Sequence, residues 1–279
     1  VMRTGRRTVK GVAGYDLTHL LVGSEGTLAI ITEITLRLVP APRPAATLVA
    51  TFVDLTDAGR AVAGLVAAGS DLSMLEILDR TTVEAVDRHT GMAMGAEAVL
   101  LAQSDAADRD AVLRGAEDTC RRAGAADVVV TDDVAEGEQL LQARRQALPA
   151  LERLGDWLLD DVCVPRSRIV DLIRGVQDVA AAVGLTIGVF GHAGDGNMHP
   201  TVVFDATDPE QSNAAQRAFE AITALSLELG GTITGEHGVG RLKSGWLARE
   251  IDEVALSAHR SIKVALDPAN VLNRGSVLD

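Results

Sequence analysis

The sequence predicts an α+β protein, a mainly antiparallel sheet with helices packed on one face. Three observations carry this. Short runs of alternating apolar and polar residues take turns with longer stretches of helical spacing through most of the chain. Two of the short runs, 185–192 and 198–204, are joined by a glycine-rich turn too short for a crossover, which makes them an antiparallel hairpin. The helical stretches carry their own start and stop residues.

In chain order, "GSEGTLAIITEITLRLVPAPRP" reads as a glycine turn, a strand from about Thr27 to Val39, and a linker with Pro40, Pro42 and Pro44. A domain boundary is expected in that linker. "TLVATFV" (47–53) alternates as a strand, and "DAGRAVAGLVAAG" (57–69) is a helix ended by Gly69. "SMLEILD" (73–79) is a strand, and "TTVEAVDRHTG" a short helix. "AVLLAQS" (98–104) is a strand, and the next helix closes on Gly124. "DVVVT" (127–131) is a strand, 134–148 a helix, and "WLLDDVCVP" (157–165) a strand. The helix "RSRIVDLIRGVQDVAAAVG" leads into the hairpin. After it, Asp208 and Pro209 open a helix that ends at Gly230 and Gly231, and a last helix covers about 250–265.

The 279 residues are 47% hydrophobic and 23% charged, the balance of a globular chain. Aromatics are only 3%, so Ala, Val, Leu and Ile must build the core. A formal net charge of −13 argues against nucleic acid or an anionic membrane as main partner. No run approaches the roughly 18 apolar residues of a membrane span. Cys120 and Cys163 stand in no metal-like spacing and read as reduced core thiols, which points to a reducing, cytoplasmic compartment. The opening "VMRTGRRTVKGVAGYDL" has no apolar region of a signal peptide and opens in mid-pattern, so a larger parent protein is expected.

The chemistry concentrates in two glycine-framed turns. "VFGHAGDGNMHP" (189–200) puts His192 at the end of one hairpin strand and His199 at the start of the next. Two neutral imidazoles converging this way suit zinc or another first-row divalent metal, given a third ligand and an open position. "TITGEHGVGRLKSG" (232–245) offers Glu236 as that ligand. In an extended segment Glu236 and His237 point apart, so they are expected to have different jobs. Arg144 and Arg145 read equally as a clamp for a substrate carboxylate or as a solvated helix face. Lys243 reads as an anion contact or a surface lysine. His89 and His259 sit in helical patterns and read as ordinary residues. "GYDLTHLLVGSEGTL" (14–28) is able to present backbone N–H groups to an anion, a weak signal alone.

These segments resemble the flavin-linked D-2-hydroxy acid dehydrogenases of the vanillyl-alcohol oxidase type, which include D-lactate dehydrogenases and the glycolate oxidase FAD subunit. The matching stretches are "KGVAGYDLTHLLVGSEGTLAIITEITLRL", "DDVCVPRSRI", "GHAGDGNMHP", "GEHGVGRLK" and "LDPANVLNRGSVL", spread from one end of the chain to the other. The resemblance implies a remnant of the FAD-binding domain (1–44), a ferredoxin-like substrate domain with a large antiparallel sheet (45–245), and a helical C-terminus returning to the flavin (246–279). It implies a divalent metal, Zn or Mn, on His192, His199 and Glu236, with His237 as the base. Arg144 falls on the family's carboxylate-binding arginine. Gly23, Ser24, Gly26, Thr27, Ile31 and Asn273 fall on flavin-lining positions.

The implied reaction is FAD-dependent oxidation of a small D-2-hydroxy acid, D-lactate or glycolate, to the 2-oxo acid. Hydroxyglutarate enzymes of this type carry a lysine where this chain has Leu159, which disfavours a dicarboxylate. The implied acceptor is a quinone, a cytochrome or an electron-transfer flavoprotein, and a homodimer and a peripheral inner-membrane location are compatible with the type. The family's pyrophosphate loop lies outside these residues, so this chain alone is expected neither to retain FAD nor to turn over. Two other readings stay open on the residues: a non-catalytic metal-binding subunit of a flavoenzyme complex, and a metal-assisted hydrolase that needs no flavin.

Overall fold

The computed structural model describes residues 1–278. It contains two compact units, one formed by residues 1–39 with the chain from Glu236 onward, the other by Pro40–Gly235. The break after Val39 falls at the first of the three linker prolines.

The smaller unit begins with α1 (Leu17–Leu21). The expected strand over 27–39 does not form: the backbone from Ala29 to Val39 is irregular, and Ile34, Leu36 and Leu38 are exposed. The alternation is strand-like, but a strand needs a ladder partner for its N–H and C=O groups, and among the described residues this unit contains no strand.

The larger unit opens with β1 (Ala46–Phe52), α2 (Leu55–Ala67), β2 (Met74–Asp79), α3 (Arg80–Thr90), β3 (Ala98–Ser104), α4 (Arg109–Ala123) and β4 (Asp127–Thr131). The four strands lie in the order β4-β1-β3-β2 with every neighbour antiparallel. That is the ferredoxin-like arrangement the sequence resemblance implied. Three short helices follow, α5 (Val134–Leu140), α6 (Gln142–Arg145) and α7 (Ala147–Glu152), where one helix was expected. Pro149 explains the last break, since it has no N–H to return to the Arg145 carbonyl. β5 (Asp156–Leu159) and β6 (Val162–Cys163) replace the expected single strand, interrupted by Asp160 and Asp161. Then come α8 (Ile169–Val183), β7 (Thr186–His192), β8 (Asn197–Phe204) and α9 (Pro209–Glu228). The β7–β8 hairpin docks on β2 and extends the sheet as β2-β7-β8-β5, with β6 also pairing β8.

Local chemistry fixes these ends. Asp54, Asp79, Asp133 and Asp208 each accept backbone N–H groups at a helix start, while Gly91, Gly124 and Gly184 close helices in the left-handed conformation.

Helices cover both faces of the sheet, not one. Ala98, Leu100 and Ala102 of β3 face a core shared with α2, α4, α8 and α9. Their neighbours Val99 and Leu101 face a second core with Leu78, Phe190 and Val203, closed by α3, α6 and α7. A strand apolar on both faces, as "AVLLAQS" is, must be covered on both. Cys120 is buried in the first core, and burial pushes its thiol up to about 11. Cys163 is not a core thiol: it lies partly exposed on β6.

The smaller unit resumes after Gly235 with α10 (Ser244–Glu250), which the sequence did not suggest, and α11 (Glu253–Leu266), capped by Asp252. Polar side chains organise it. The Glu25 carboxylate accepts the N–H groups of Val239 and Gly240, at 2.8 and 2.7 Å. The Lys263 ammonium donates to the Thr27 and Leu272 carbonyls, both at 2.9 Å, and to Asp267 at 2.5 Å. Lys263, helped by the Leu272 and Val271 N–H groups, holds the Asp267 carboxyl down at about 2. Among the described residues no helix is long and apolar enough to cross a membrane.

Asp79 generates a stability prediction. Its Oδ1 accepts from Thr82 N and Val189 N, both at 2.9 Å, while its buried Oδ2 has no hydrogen-bond partner among the described residues. Burial raises its pKa from 3.8 to about 6 against those N–H groups. A carboxyl raised on folding binds its proton more tightly in the native state, so stability falls as pH rises from 3.8 to about 6 and is flat above. Asp79→Asn keeps an acceptor and removes the titration. Urea midpoints across this range are expected to fall with pH in the parent and to fall less in the variant; equal slopes would contradict the assignment.

Candidate active site

The hairpin turn places the two histidines by strand parity. In register, His192 pairs with Asn197 and Phe190 with His199, so all four side chains share one face. The imidazole centroids of His192 and His199 lie 5.3 Å apart, edge to face. Residues 193–196 make the turn, with Asp195 N and Gly196 N both donating to the His192 carbonyl. The glycines differ in their reasons. Gly196 has φ +89, and a Cβ there would collide with the Val164 carbonyl. Gly191 is pressed against Asn197 O and Met198 Cα. Gly194 needs neither: its φ is not positive and a Cβ would make ordinary contact with Leu75.

Each histidine has a buried carboxylate at Nδ1. His192 Nδ1 lies 2.6 Å from Glu76 Oε1, and His199 Nδ1 lies 3.6 Å from Asp161 Oδ1. Glu76 also accepts from Arg144 Nε through its other oxygen, at 3.3 Å. Arg144 stands on α6, one residue after Ala143, which is buried in the second core, so that core aims it at the histidine face. Asp161 Oδ2 accepts from Thr234 Oγ1 and Gly235 N, at 2.7 and 2.8 Å, and so fixes the backbone just before Glu236. Gly235 is packed on the Asn197 amide, where any Cβ would overlap it. A cavity of ≈ 860 Å³ reaches Glu76, His192 and Arg166.

Glu76 was not a sequence candidate. With helices expected on one face, a glutamate alternating with Leu75 and Ile77 reads as solvent-facing; with both faces covered it is 4% exposed. A charge inside "SMLEILD" was the available signal.

In the smaller unit Glu236 and His237 are each about half exposed, and His237 Nε2 lies 3.6 Å from Glu236 Oε1. They do not point apart as expected, because the chain bends through 235–237 instead of extending. Gly23, Ser24, Gly26 and Ile31 line one pocket of ≈ 360 Å³. Thr27 and Asn273 brace that turn instead of lining it: Thr27 Oγ1 donates to the Ser24 carbonyl, and Asn273 Nδ2 donates to the Glu25 carbonyl. Lys243 is buried, not a surface lysine. Arg145 pairs with Glu138 at the surface, and His259 bonds the Ala255 carbonyl of its own helix. His89 lies in the last turn of α3.

Residues 41–277 match the family model for FAD linked oxidases, C-terminal domain. The chain belongs to this family. Among curated FAD-linked oxidase relatives, it is 39% identical to glycolate oxidase subunit GlcD of Bacillus subtilis, over 99% of this chain and 60% of that protein. Against the Escherichia coli K12 subunit of the same name it is 34% identical, over 94% and 54%. Against the mitochondrial cytochrome-type D-lactate dehydrogenase of Arabidopsis thaliana it is 32% identical, over 100% and 50%. The chain thus spans between half and two thirds of these relatives. Among solved structures it superposes on p-cresol methylhydroxylase with a TM-score of 0.65 at 17% identity, over 85% of this chain and 53% of that one. On alkyldihydroxyacetonephosphate synthase the TM-score is 0.59 at 15% identity, over 95% and 50%. At such identity these show the shared fold.

The three hairpin glycines form a graded test. Gly191→Ala and Gly196→Ala are expected to destabilise the chain by roughly 1–3 kcal/mol or more, through collision with backbone. Gly194→Ala is expected to be close to neutral in the same denaturation measurement. Equal costs at all three would show that the hairpin is not this tight.

Proposed function

We propose that the whole protein oxidises a small D-2-hydroxy acid, D-lactate or glycolate, to its 2-oxo acid, with FAD as electron acceptor. The observation that carries this reading is the histidine pair backed by buried carboxylates, in a chain of the FAD-linked oxidase family with glycolate oxidase and D-lactate dehydrogenase relatives.

The donor set fits a divalent metal. His192 and His199 lie close enough to converge, and the Glu76 acceptor at His192 Nδ1 turns that ring's Nε2 into the ligating nitrogen. We assign His192, His199 and Glu236 as ligands of zinc or manganese, the third on the strength of the G-E-H-G motif. The metal would supply Lewis acidity toward the substrate's hydroxyl and carboxylate oxygens, and FAD would accept the hydride. His237 takes the hydroxyl proton on its imidazole. Arg144 binds the substrate carboxylate through its terminal guanidinium nitrogens. Gly23 and Gly26 keep the turn at 23–27 low for a flavin edge, both at positive φ with no side-chain bulk. Leu159, half-buried at the end of β5, favours a small or apolar side group over a second carboxylate. The bound flavin would be reoxidised by a quinone, a cytochrome or an electron-transfer flavoprotein.

The test is anaerobic flavin reduction by the whole protein, including any flavin-binding portion outside these residues. D-lactate or glycolate is expected to bleach the flavin faster than D-2-hydroxyglutarate does. His237→Ala is expected to lower kcat about 10²- to 10⁴-fold, the range of a lost general base, with metal content unchanged. Loss of metal in that variant would overturn the division of roles between Glu236 and His237. Turnover without flavin would favour a metal-assisted hydrolase instead.

A further inference from the structure

We propose that Glu76 is a positioning residue shared by two parts of the site: one buried carboxylate sets the ring tautomer of His192 and holds the guanidinium of Arg144. The proposal rests on the metal-site reading above and extends it to a residue outside every motif of the sequence.

Three observations support it. First, the contact to His192 is imposed by the backbone. Glu76 and His192 are cross-strand partners in the β2–β7 ladder, so their side chains stand on the same face at pairing distance before any metal is considered. Second, the two carboxylate oxygens are divided between two donors, Oε1 to His192 Nδ1 at 2.6 Å and Oε2 to Arg144 Nε at 3.3 Å. A carboxylate only accepts, so the hydrogen must sit on Nδ1, and a neutral His192 then presents its lone pair on Nε2. Third, Arg144 is held by its inner nitrogen. Neither terminal nitrogen has a hydrogen bond among the described residues, and the side chain is 35% exposed. Gripped at Nε, the planar fork keeps two parallel N–H groups for a carboxylate arriving from outside.

The pairing also explains why a glutamate is tolerated here. A buried carboxylate is strongly unfavourable unless charged or hydrogen-bonding partners meet it. Both partners here are groups the reaction needs, so the same contacts that stabilise Glu76 order the site. An amide cannot replace it cleanly. Glutamine has one acceptor oxygen and one NH₂ group, so one of the two donors would face another donor.

The experiment uses the purified chain labelled with ¹³C and ¹⁵N at histidine and arginine. In the pH range where the spectra themselves show the ring neutral, NMR is expected to show His192 as the Nδ1–H tautomer and a slowly exchanging Arg144 Nε–H. Glu76→Gln is expected to disturb one of these signals and to weaken Zn²⁺ binding about 10- to 100-fold in equilibrium dialysis, the usual range for a lost carboxylate behind a ligating histidine. Glu84→Gln, at an exposed ion pair on α3, is the control and is expected to bind Zn²⁺ like the parent. An Nε2–H tautomer in the parent would overturn the proposal, as would a Glu76→Gln variant with unchanged signals and unchanged Zn²⁺ affinity. A variant that fails to fold leaves the parent's tautomer to decide. If the parent takes up no Zn²⁺, the metal reading falls, and the tautomer and the arginine signal still judge Glu76 by themselves.

Discussion

The seam between β2 and β7 is three residue pairs long, and the candidate site hangs on its register. Glu76 meets His192, Ile77 meets Gly191, and Leu78 meets Phe190. On one side lies the ferredoxin-like quartet β4-β1-β3-β2; on the other lies the hairpin with β5. A slip of one residue would turn Glu76 toward the aliphatic core of the opposite face and leave His192 without its acceptor. Two devices lock the pairing. Just before the first pair, Gly194 N donates to the Leu75 carbonyl at 3.1 Å. Just past the last pair, the Asp79 carboxylate takes Val189 N, extending the join from β2 to β7 through a side chain.

Buried acids therefore recur on and beside the histidine face, with distinct tasks. Asp79 caps α3 and ties it to β7. Glu76 joins a strand histidine to a helix arginine. Asp161 stands by His199 and grips the Thr234–Gly235 backbone. Each is costly to bury, and each is met by N–H or O–H donors. The residues of this face are positioned by hydrogen bonds as well as by packing, as close control of imidazole orientation requires.

The smaller unit solves a different problem. It has little core, and its order comes from single polar side chains that each hold two or three backbone groups. Glu25, at positive φ in the turn between Gly23 and Gly26, gathers the N–H groups that follow the G-E-H-G motif. Lys263 ties the carbonyl of Thr27 to that of Leu272. Segments as far apart in sequence as Thr27 and Leu272 are thereby held in one unit, and both are segments that the sequence marked as flavin-facing.

The sequence by itself determined much of the larger unit. β3 and β4 lie at the expected residues, and the hairpin and the cap of α9 were legible because alternation, glycine turns and Asp-Pro caps act over a few neighbouring residues. The histidines and the glycine-framed glutamate were legible for the same reason. Tertiary structure alone decided which strand lies beside the hairpin, and with it the role of Glu76. It also decided that helices cover both faces, that Lys243 is buried, and that residues 29–39 form no strand despite their alternation. Those outcomes depend on partners distant in the chain. Local periodicity says which face of a strand is apolar, and only the assembled sheet says what is waiting there.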